Sequence, residues 1–234
     1  MPRVIAALLR HGEYHQLKDT PSAWQPFPLT EKGQEQAIRS VTLLRGALQM
    51  FNWDLSSVID SSNLLRGWQT AGLIQQELNK SAPSPLSIEG FDELAERSMG
   101  SAANLTIQTI ESILQDDPRF KAPPADWKSN SHYQLPLQGA ESLMQAGSRV
   151  ARHLDHRLGE LQQRVEADTV KLFVGHGAAF RHAAHQLGVI DFEQIAALSM
   201  DHCRPVFVER RHDGSWRHIT GEWKVRSRGE AFVD

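Results

Sequence analysis

Three apolar runs punctuate the chain: Val4–Leu9, Leu55–Asp60 and Val170–Val174. Each ends abruptly in small or polar residues and then opens a helical pattern. Short unbroken apolar runs of this kind are the mark of strands buried on both faces. Between them the apolar spacing changes to steps of three and four. Thr30 stands where a helix cap belongs, followed by Ala37, Val41, Leu44, Leu48 and Phe51 on one face. A second helix is expected from about Asn63 to Leu78, with Leu64, Trp68, Ala71, Ile74 and Leu78 inward and Arg66 off that face. Leu143, Ala146, Val150, Leu154, Leu158, Leu161 and Val165 mark a long amphipathic helix. Phe180, Ala183, Ala184 and Leu187 mark another, and a short one is expected near Asp191 to Leu198. Pro205–Glu209 and Trp216–Ile219, around the Asp213-Gly214 turn, read as an edge hairpin. Strands alternating with helices predict an α/β fold, a three-layer α/β/α sandwich on a mostly parallel central sheet.

Two stretches break the periodicity. Residues 14–29 hold Pro21, Pro26 and Pro28 and read as a loop leading back over the strand ends, where Tyr14, His15, Gln16 and Trp24 could line a pocket. Residues 97–140 are polar and proline-dotted, with a helix expected near Thr106 to Leu114. They read as a small cap inserted over the sheet edge of a single domain spanning residues 1–234. The chain after Val225 reads as frayed.

Composition narrows the function classes. Of 234 residues, 40% are hydrophobic, which suits an ordinary globular core, and the formal net charge is −3. Interspersed charge without a basic footprint argues against a nucleic-acid partner. No apolar run is long enough to span a membrane or form a signal-peptide core, so no membrane partner is expected. Cys203 is the single cysteine, which excludes an internal disulfide and makes a reducing cytoplasm the simplest setting.

The strand ends carry the candidate chemistry. The first run delivers Arg10, His11 and Gly12; the second leads to Arg66; the third ends in Gly175-His176-Gly177. In an open parallel sheet, ligands bind beyond the carboxyl ends of the strands. If the three strands are parallel, Arg10, His11, Arg66 and His176 converge into a pocket for a phosphate dianion. Arginine offers a planar fork matched to phosphate oxygens. A neutral histidine can attack phosphorus through one ring nitrogen while the other donates the hydrogen bond that fixes the tautomer. Arg66, in the first turn of its helix, is at odds with a macrodipole that prefers anions there, which itself suggests a function.

RHGE at residues 10–13, PLTEKGQEQA at 28–37, SSNLLRGWQTA at 61–71, LAERSMG at 94–100 and GHGAAFRH at 175–182 together resemble the histidine phosphatase superfamily, in its phosphoglycerate-mutase-like branch. The resemblance implies a phosphomonoesterase working through a phosphohistidine on His11. Arg10, Arg66 and His176 would spread the phosphoryl charge. The proton donor of the Leu-x-Glu-Arg-x-x-Gly setting falls on Glu96, with Glu93 the rival if this piece is helical. Gly12, Gln16 and Gly177 are the further candidates for substrate contact; Gln16 and Leu17 stand near where mutases have an asparagine. Arg97, Arg119, Lys121, Lys128 and His132 could meet remote anionic groups of the substrate.

No cofactor or metal is expected, because cationic side chains can supply what magnesium supplies elsewhere. The eleven histidines include the pairs His11/His15, His153/His156 and His182/His185, but no His-Glu-x-x-His pattern. The partner is therefore a phosphorylated substrate, small molecule or protein. Three alternatives compete: a cofactor-dependent phosphoglycerate mutase, a metal hydrolase, and a non-catalytic phosphate-binding module. Mutases of this branch use a tyrosine and a lysine soon after the proton donor. Here Met99 stands in the tyrosine's place and no lysine follows until Lys121, so net hydrolysis is expected. The oligomeric state is left open, a homodimer included.

Overall fold

The computed structural model describes residues 1–82 and 84–226. The chain beyond Val225 expected to fray therefore lies, apart from Arg226, outside the described residues. In chain order the elements are β1 (Val4–Arg10), α1 (Glu31–Phe51), β2 (Asp54–Leu55), β3 (Val58–Ser62), α2 (Leu65–Asn79), β4 (Ser87–Phe91), α3 (Ile107–Asp116), α4 (Leu143–Gln162), β5 (Thr169–Gly175), α5 (Gly177–Gln186), α6 (Phe192–Ala197), β6 (Leu198–Ser199), β7 (Val206–Arg210), β8 (Trp216–Thr220) and β9 (Lys224–Val225). The main sheet runs β4-β3-β5-β1-β7-β8, with β2 also on β5; β6 and β9 form a separate pair. Strands β1 to β5 are mutually parallel, and β7 and β8 are antiparallel additions.

The apolar run of β1 is explained by its two covered faces. Ile5, Ala7 and Leu9 pack with Ala37, Val41 and Leu44 of α1 and Ala71 and Ile74 of α2. Val4, Ala6 and Leu8 pack the other way, with Val150, Leu154 and Leu158 of α4 and Phe180 and Ala183 of α5. The result is the expected α/β/α layering around a mostly parallel sheet. Residues 99–140 add a separate apolar cluster around the buried Trp127, with Met99, Ile110, Leu114 and Leu135.

Three expectations are corrected. The run from Leu55 to Asp60 is not one strand: Ser56 and Ser57 divide it into β2 and β3. The hairpin does not lie wholly at the edge, because β7 pairs β1 and only β8 is terminal. On α2 the inward face is Arg66, Gly67, Thr70, Ala71, Ile74 and Leu78, whereas Trp68 is exposed and Leu64 lies before the helix. Strand β4, too polar to stand out in the sequence, was not anticipated.

The carboxyl ends of three strands lie level. Arg10 is in register with Gly175, and Ser61 with Val174. The chain leaves β1 into residues 11–30, β3 into α2 and β5 into α5, all at the same edge. No helix among the described residues is long and apolar enough to cross a membrane.

Candidate active site

His11 follows β1 directly, and its backbone N–H donates to the Gly175 carbonyl at 3.0 Å, tying the end of β1 to that of β5. The ring is buried. Its Nδ1 lies 2.7 Å from the Gly12 carbonyl, an acceptor only, so Nδ1 carries the proton. Nε2 then holds the lone pair, and it accepts from Arg66 Nε at 3.2 Å. Burial first, then the charges of Arg66, His176, Arg10 and His202, hold the His11 pKa well below the ordinary histidine value, so the ring is neutral at neutral pH.

Arg66 is fully buried in the first turn of α2, contrary to its expected place off the inward face. Its Nη2 donates to the Ala23 carbonyl at 2.7 Å and its Nη1 to the Gln25 carbonyl at 3.1 Å, and its guanidinium lies 4.6 Å from the centre of the Tyr14 ring. Burial lowers its pKa, opposed by Tyr14 and Glu96. The 14–29 loop thus orients this arginine. Gln25 is itself buried and pins the loop, its side chain accepting from the Leu17 N–H and donating to the Pro21 carbonyl.

His176 is the last residue before α5, 5.0 Å from His11 between ring centres. Its Nε2 lies 2.9 Å from Ser62 Oγ, which also accepts the Leu64 N–H at 3.2 Å. Ser62 Oγ keeps its own proton as well as a second lone pair; when it donates to Nε2, the imidazole proton sits on Nδ1. Nδ1 is buried and has no hydrogen-bond partner among the described residues. Burial, followed by Arg66, Arg10 and Arg149, holds the His176 pKa well below its usual value. In that tautomer Nδ1–H is a buried donor without a partner beside the neutral His11 ring, able to meet an anionic oxygen. Arg10 closes the ring of groups. Its Nη1 donates to the Met200 carbonyl at 3.0 Å, and its side chain lies so close to Gly177 that a Cβ there would sit 3.4 Å from Arg10 Nε.

Glu96 and Glu93 are separated cleanly. A 3-10 turn at Asp92–Leu94 ends at Ala95 in extended backbone, so the two glutamates are not one helical turn apart. Glu93 is exposed, whereas Glu96 is buried, with its Oε1 accepting the Arg97 N–H at 2.9 Å. Arg149 of α4 holds this segment in place. Its Nη1 donates to the carbonyls of Asp92, Glu93 and Ala95, its Nη2 reaches the Glu96 carbonyl, and its other contacts go to the Glu141 carboxylate. Trp24 Nε1 donates to the same Glu96 carbonyl at 2.9 Å.

The remaining candidates are placed less centrally. Gly12 makes a close approach to the helix α1: a Cβ there would lie 2.4 Å from the Gly33 carbonyl oxygen. Gln16 is half-buried and turns its amide to the Thr20 carbonyl at 3.5 Å, and His15 is exposed. Arg97 is buried and donates to the Lys128 carbonyl, while Arg119 is exposed and pairs with Asp117. Sequence reasoning missed Ser62, Arg149, Gln25 and His202, whose Nδ1 lies 2.6 Å from the His11 carbonyl. Ser62 could have been found from its place in the SSN run at a strand end. The others carry no local signal, because their partners lie far away in sequence.

Among the described residues, no three His, Cys, Asp or Glu side chains are grouped as metal ligands. The arrangement can present two arginines and one imidazole N–H to a phosphoryl group in contact with a neutral imidazole lone pair.

Comparison with known proteins places the fold and the family. A 26% identical relative, aligned over 89% of this chain and 91% of its own length, is the 2,3-bisphosphoglycerate-dependent phosphoglycerate mutase of Parvibaculum lavamentivorans. Among solved structures, a mycobacterial glucosyl-3-phosphoglycerate phosphatase superposes with a TM-score of 0.67 at 18% identity, covering 94% of this chain and 97% of that one. The phosphoglycerate mutase of Bacillus anthracis gives 0.69 at 19%, covering 95% and 93%. The profile of the histidine phosphatase superfamily, branch 1, matches residues 6–220, and the chain belongs to that superfamily.

Proposed function

We propose that the protein is a metal-independent phosphomonoesterase that works through a phosphohistidine on His11. The observation that carries this reading is the His11 ring itself: Nδ1 is locked on the Gly12 carbonyl, and the neutral Nε2 keeps its lone pair for the Arg66 Nε–H at 3.2 Å, a donor that can pass to a phosphoryl oxygen as substrate enters. Nε2 attacks phosphorus as the bond to the ester oxygen breaks. The proton stays on Nδ1, where its hydrogen bond to the Gly12 carbonyl stabilises the charge that develops on the ring. Arg10, Arg66 and the His176 Nδ1–H take the equatorial oxygens as preorganised donors. Glu96 gives its proton to the departing oxygen. In the second step Glu96 takes a proton from water, the oxygen attacks phosphorus, the P–N bond breaks and inorganic phosphate leaves.

Transfer to water, rather than back to a substrate, is supported by the residues after Glu96. Met99 is buried in the apolar cluster of residues 99–140 and offers no hydroxyl. Retaining a bisphosphorylated intermediate would need several charge-assisted contacts, each worth about 1.5–3 kcal/mol. The second reading, a phosphoglycerate mutase, is favoured by the name of the 26% identical relative.

The test is phosphate release from a generic aryl phosphate, with and without prolonged chelation. We expect release that survives chelation, an acid-labile and base-stable phosphate on the quenched enzyme, and its loss in a folded His11→Ala variant. Interconversion of 2- and 3-phosphoglycerate faster than phosphate release would establish the mutase instead, and loss on chelation with recovery on added zinc would establish the metal hydrolase.

A further inference from the structure

The Glu96 carboxyl is held by its own main chain. Its Oε1 accepts the Arg97 N–H, so the aim of that N–H bears directly on where the carboxyl points. The Arg97 N–H and the Glu96 carbonyl belong to one planar trans peptide and point in opposite directions. Whatever holds the carbonyl therefore fixes the N–H, and through it the carboxyl.

Two side chains from distant parts of the chain hold that carbonyl. Trp24 donates from Nε1 at 2.9 Å, and Arg149 of α4 donates from Nη2 at 3.4 Å. Arg149 is itself fixed. The Glu141 carboxylate takes its Nε and Nη2 at 3.0 and 2.7 Å, a bidentate pair, while Nη1 reaches the carbonyls of Asp92, Glu93 and Ala95. Glu141 Oε2 also accepts the Ser98 N–H at 3.0 Å, so this one ion pair grips the chain on both sides of Glu96. Trp24 is fixed through its neighbours. The carbonyls of Ala23 and Gln25, on either side of it, receive the buried Arg66, whose Nε meets His11 Nε2. Residues 23–25 thus hold Arg66 with their main chain and the Glu96–Arg97 peptide with a side chain. The Trp24 ring is 43% exposed and adds little to the core, so its hydrogen bond is the contact that matters.

We propose that Trp24 and Arg149 are positioning residues for acid catalysis: by holding the Glu96 carbonyl they aim the Glu96 carboxyl at the departing oxygen. The inference rests on the phosphomonoesterase reading of the site. As the P–O bond breaks, its electron pair stays on the ester oxygen. That oxygen takes the Glu96 proton and leaves as an alcohol or phenol, and the carboxylate remains on the Arg97 N–H. Only esters whose oxygen needs this proton depend on how it is aimed. Acting through the main chain, the two residues therefore set how basic a leaving group the enzyme can expel.

The experiment compares kcat/KM for phenyl phosphate and 2,4-dinitrophenyl phosphate, two aryl esters of which only the first needs a proton on its leaving oxygen. General acid catalysis is ordinarily worth about 10²–10⁴-fold, so Glu96→Gln should lower the phenyl-to-dinitrophenyl ratio by at least about thirtyfold. Trp24→Phe keeps an aromatic ring and deletes the N–H; it should lower the ratio by at least about fivefold, part of the general-acid effect. Arg149→Lys keeps the charge and loses the fork; it should lower the ratio by at least about tenfold. A ratio of two substrates on one preparation cancels any loss of folded enzyme, which a purely structural role would produce. A ratio unmoved in both positioning variants, while Glu96→Gln lowers it, overturns the assignment and leaves the phosphatase reading standing. A ratio unmoved in Glu96→Gln removes Glu96 as the proton donor, and the assignment with it. Absence of phosphate release from every monoester overturns the phosphatase reading itself.

Discussion

At the scale of single residues, the site is organised by groups that never meet the phosphoryl oxygens. Each of the two histidines has one nitrogen tied by a group that also fixes its orientation, while the other faces the arginines, Nε2 of His11 accepting from Arg66 and Nδ1 of His176 left without a partner among the described residues. For His11 the tie is the Gly12 carbonyl, which no substitution of a side chain can remove. For His176 it is Ser62, itself held by the Leu64 N–H. Without that hydroxyl, the His176 tautomer with its proton on Nδ1 loses the donor that supports it. Ser62→Ala should therefore lower kcat/KM for phosphomonoesters by roughly tenfold or more, below the 10²–10³ expected for outright loss of one oxyanion donor. Its far-UV spectrum should be unchanged. The direct check is ¹⁵N NMR of the His176 ring: the wild type should show protonated Nδ1, and the variant a mixture of tautomers. An unchanged tautomer with an unchanged rate would remove Ser62 from the argument.

At the scale of elements, the strand β1 and the helix α1 meet through two glycines. The loop after His11 crosses the first turn of α1 so closely that a Cβ on Gly33 would lie 1.9 Å from the Glu13 carbonyl oxygen. Replacing an exposed mid-helix glycine by alanine ordinarily stabilises by about 0.8–1 kcal/mol. Gly46, also in α1, has open space at its Cβ position and should follow that rule. Gly33→Ala should do the reverse, destabilising by about 1–3 kcal/mol through overpacking of backbone on backbone, and shifting His11 with it. Urea unfolding of the two variants checks this; two shifts of the same sign would refute the close approach. The same junction marks how far the sequence could be read. Strands β1 and β5 were legible because burial on both faces leaves unbroken apolar runs. Strand β4 was not, because an edge strand reading Ser-Ile-Glu-Gly-Phe keeps mostly half-buried or exposed positions. The cluster Arg10, His11, Arg66 and His176 was legible from its strand-to-helix junctions. The burial of Arg66 was not, since its desolvation is offset by the carbonyls of Ala23 and Gln25, some forty residues away in sequence. Glu96 was separated from Glu93 only by the end of the 3-10 turn at Leu94, which periodicity does not reveal.

At the scale of the whole molecule, the same burial that prepares the site sets a pH dependence for stability. Behind the sheet, Asp60 is buried against Lys171, Arg157 and His153 at 2.6, 2.8 and 2.9 Å. Burial would raise its pKa, but the hydrogen bonds from His153 and Arg157 and the charge of Lys171 outweigh it, and the value is lowered. A lowered carboxyl contributes stability above the unfolded value of about 3.9 that is lost as pH falls through the folded one. The histidines act earlier. His11, His176 and His182 are all held below the ordinary value near 6.5, chiefly by burial, His182 at about 4. In the folded protein they stay neutral while the unfolded chain takes up protons, so acidification below about pH 6.5 favours unfolding. For His182 alone the effect reaches on the order of 3 kcal/mol by pH 4, at 1.36 kcal/mol per pKa unit. The melting temperature should therefore be level above about pH 7, decline steadily from 6.5, and fall more steeply below 4 as Asp60 protonates. In His182→Gln the decline between pH 6.5 and 4.5 should be shallower by up to one proton's worth of slope, whatever the variant's stability at pH 7. A wild-type melting temperature that stays constant from pH 7 to 5 would mean that these rings are charged in the folded state, and a charged His11 has no lone pair with which to attack phosphorus.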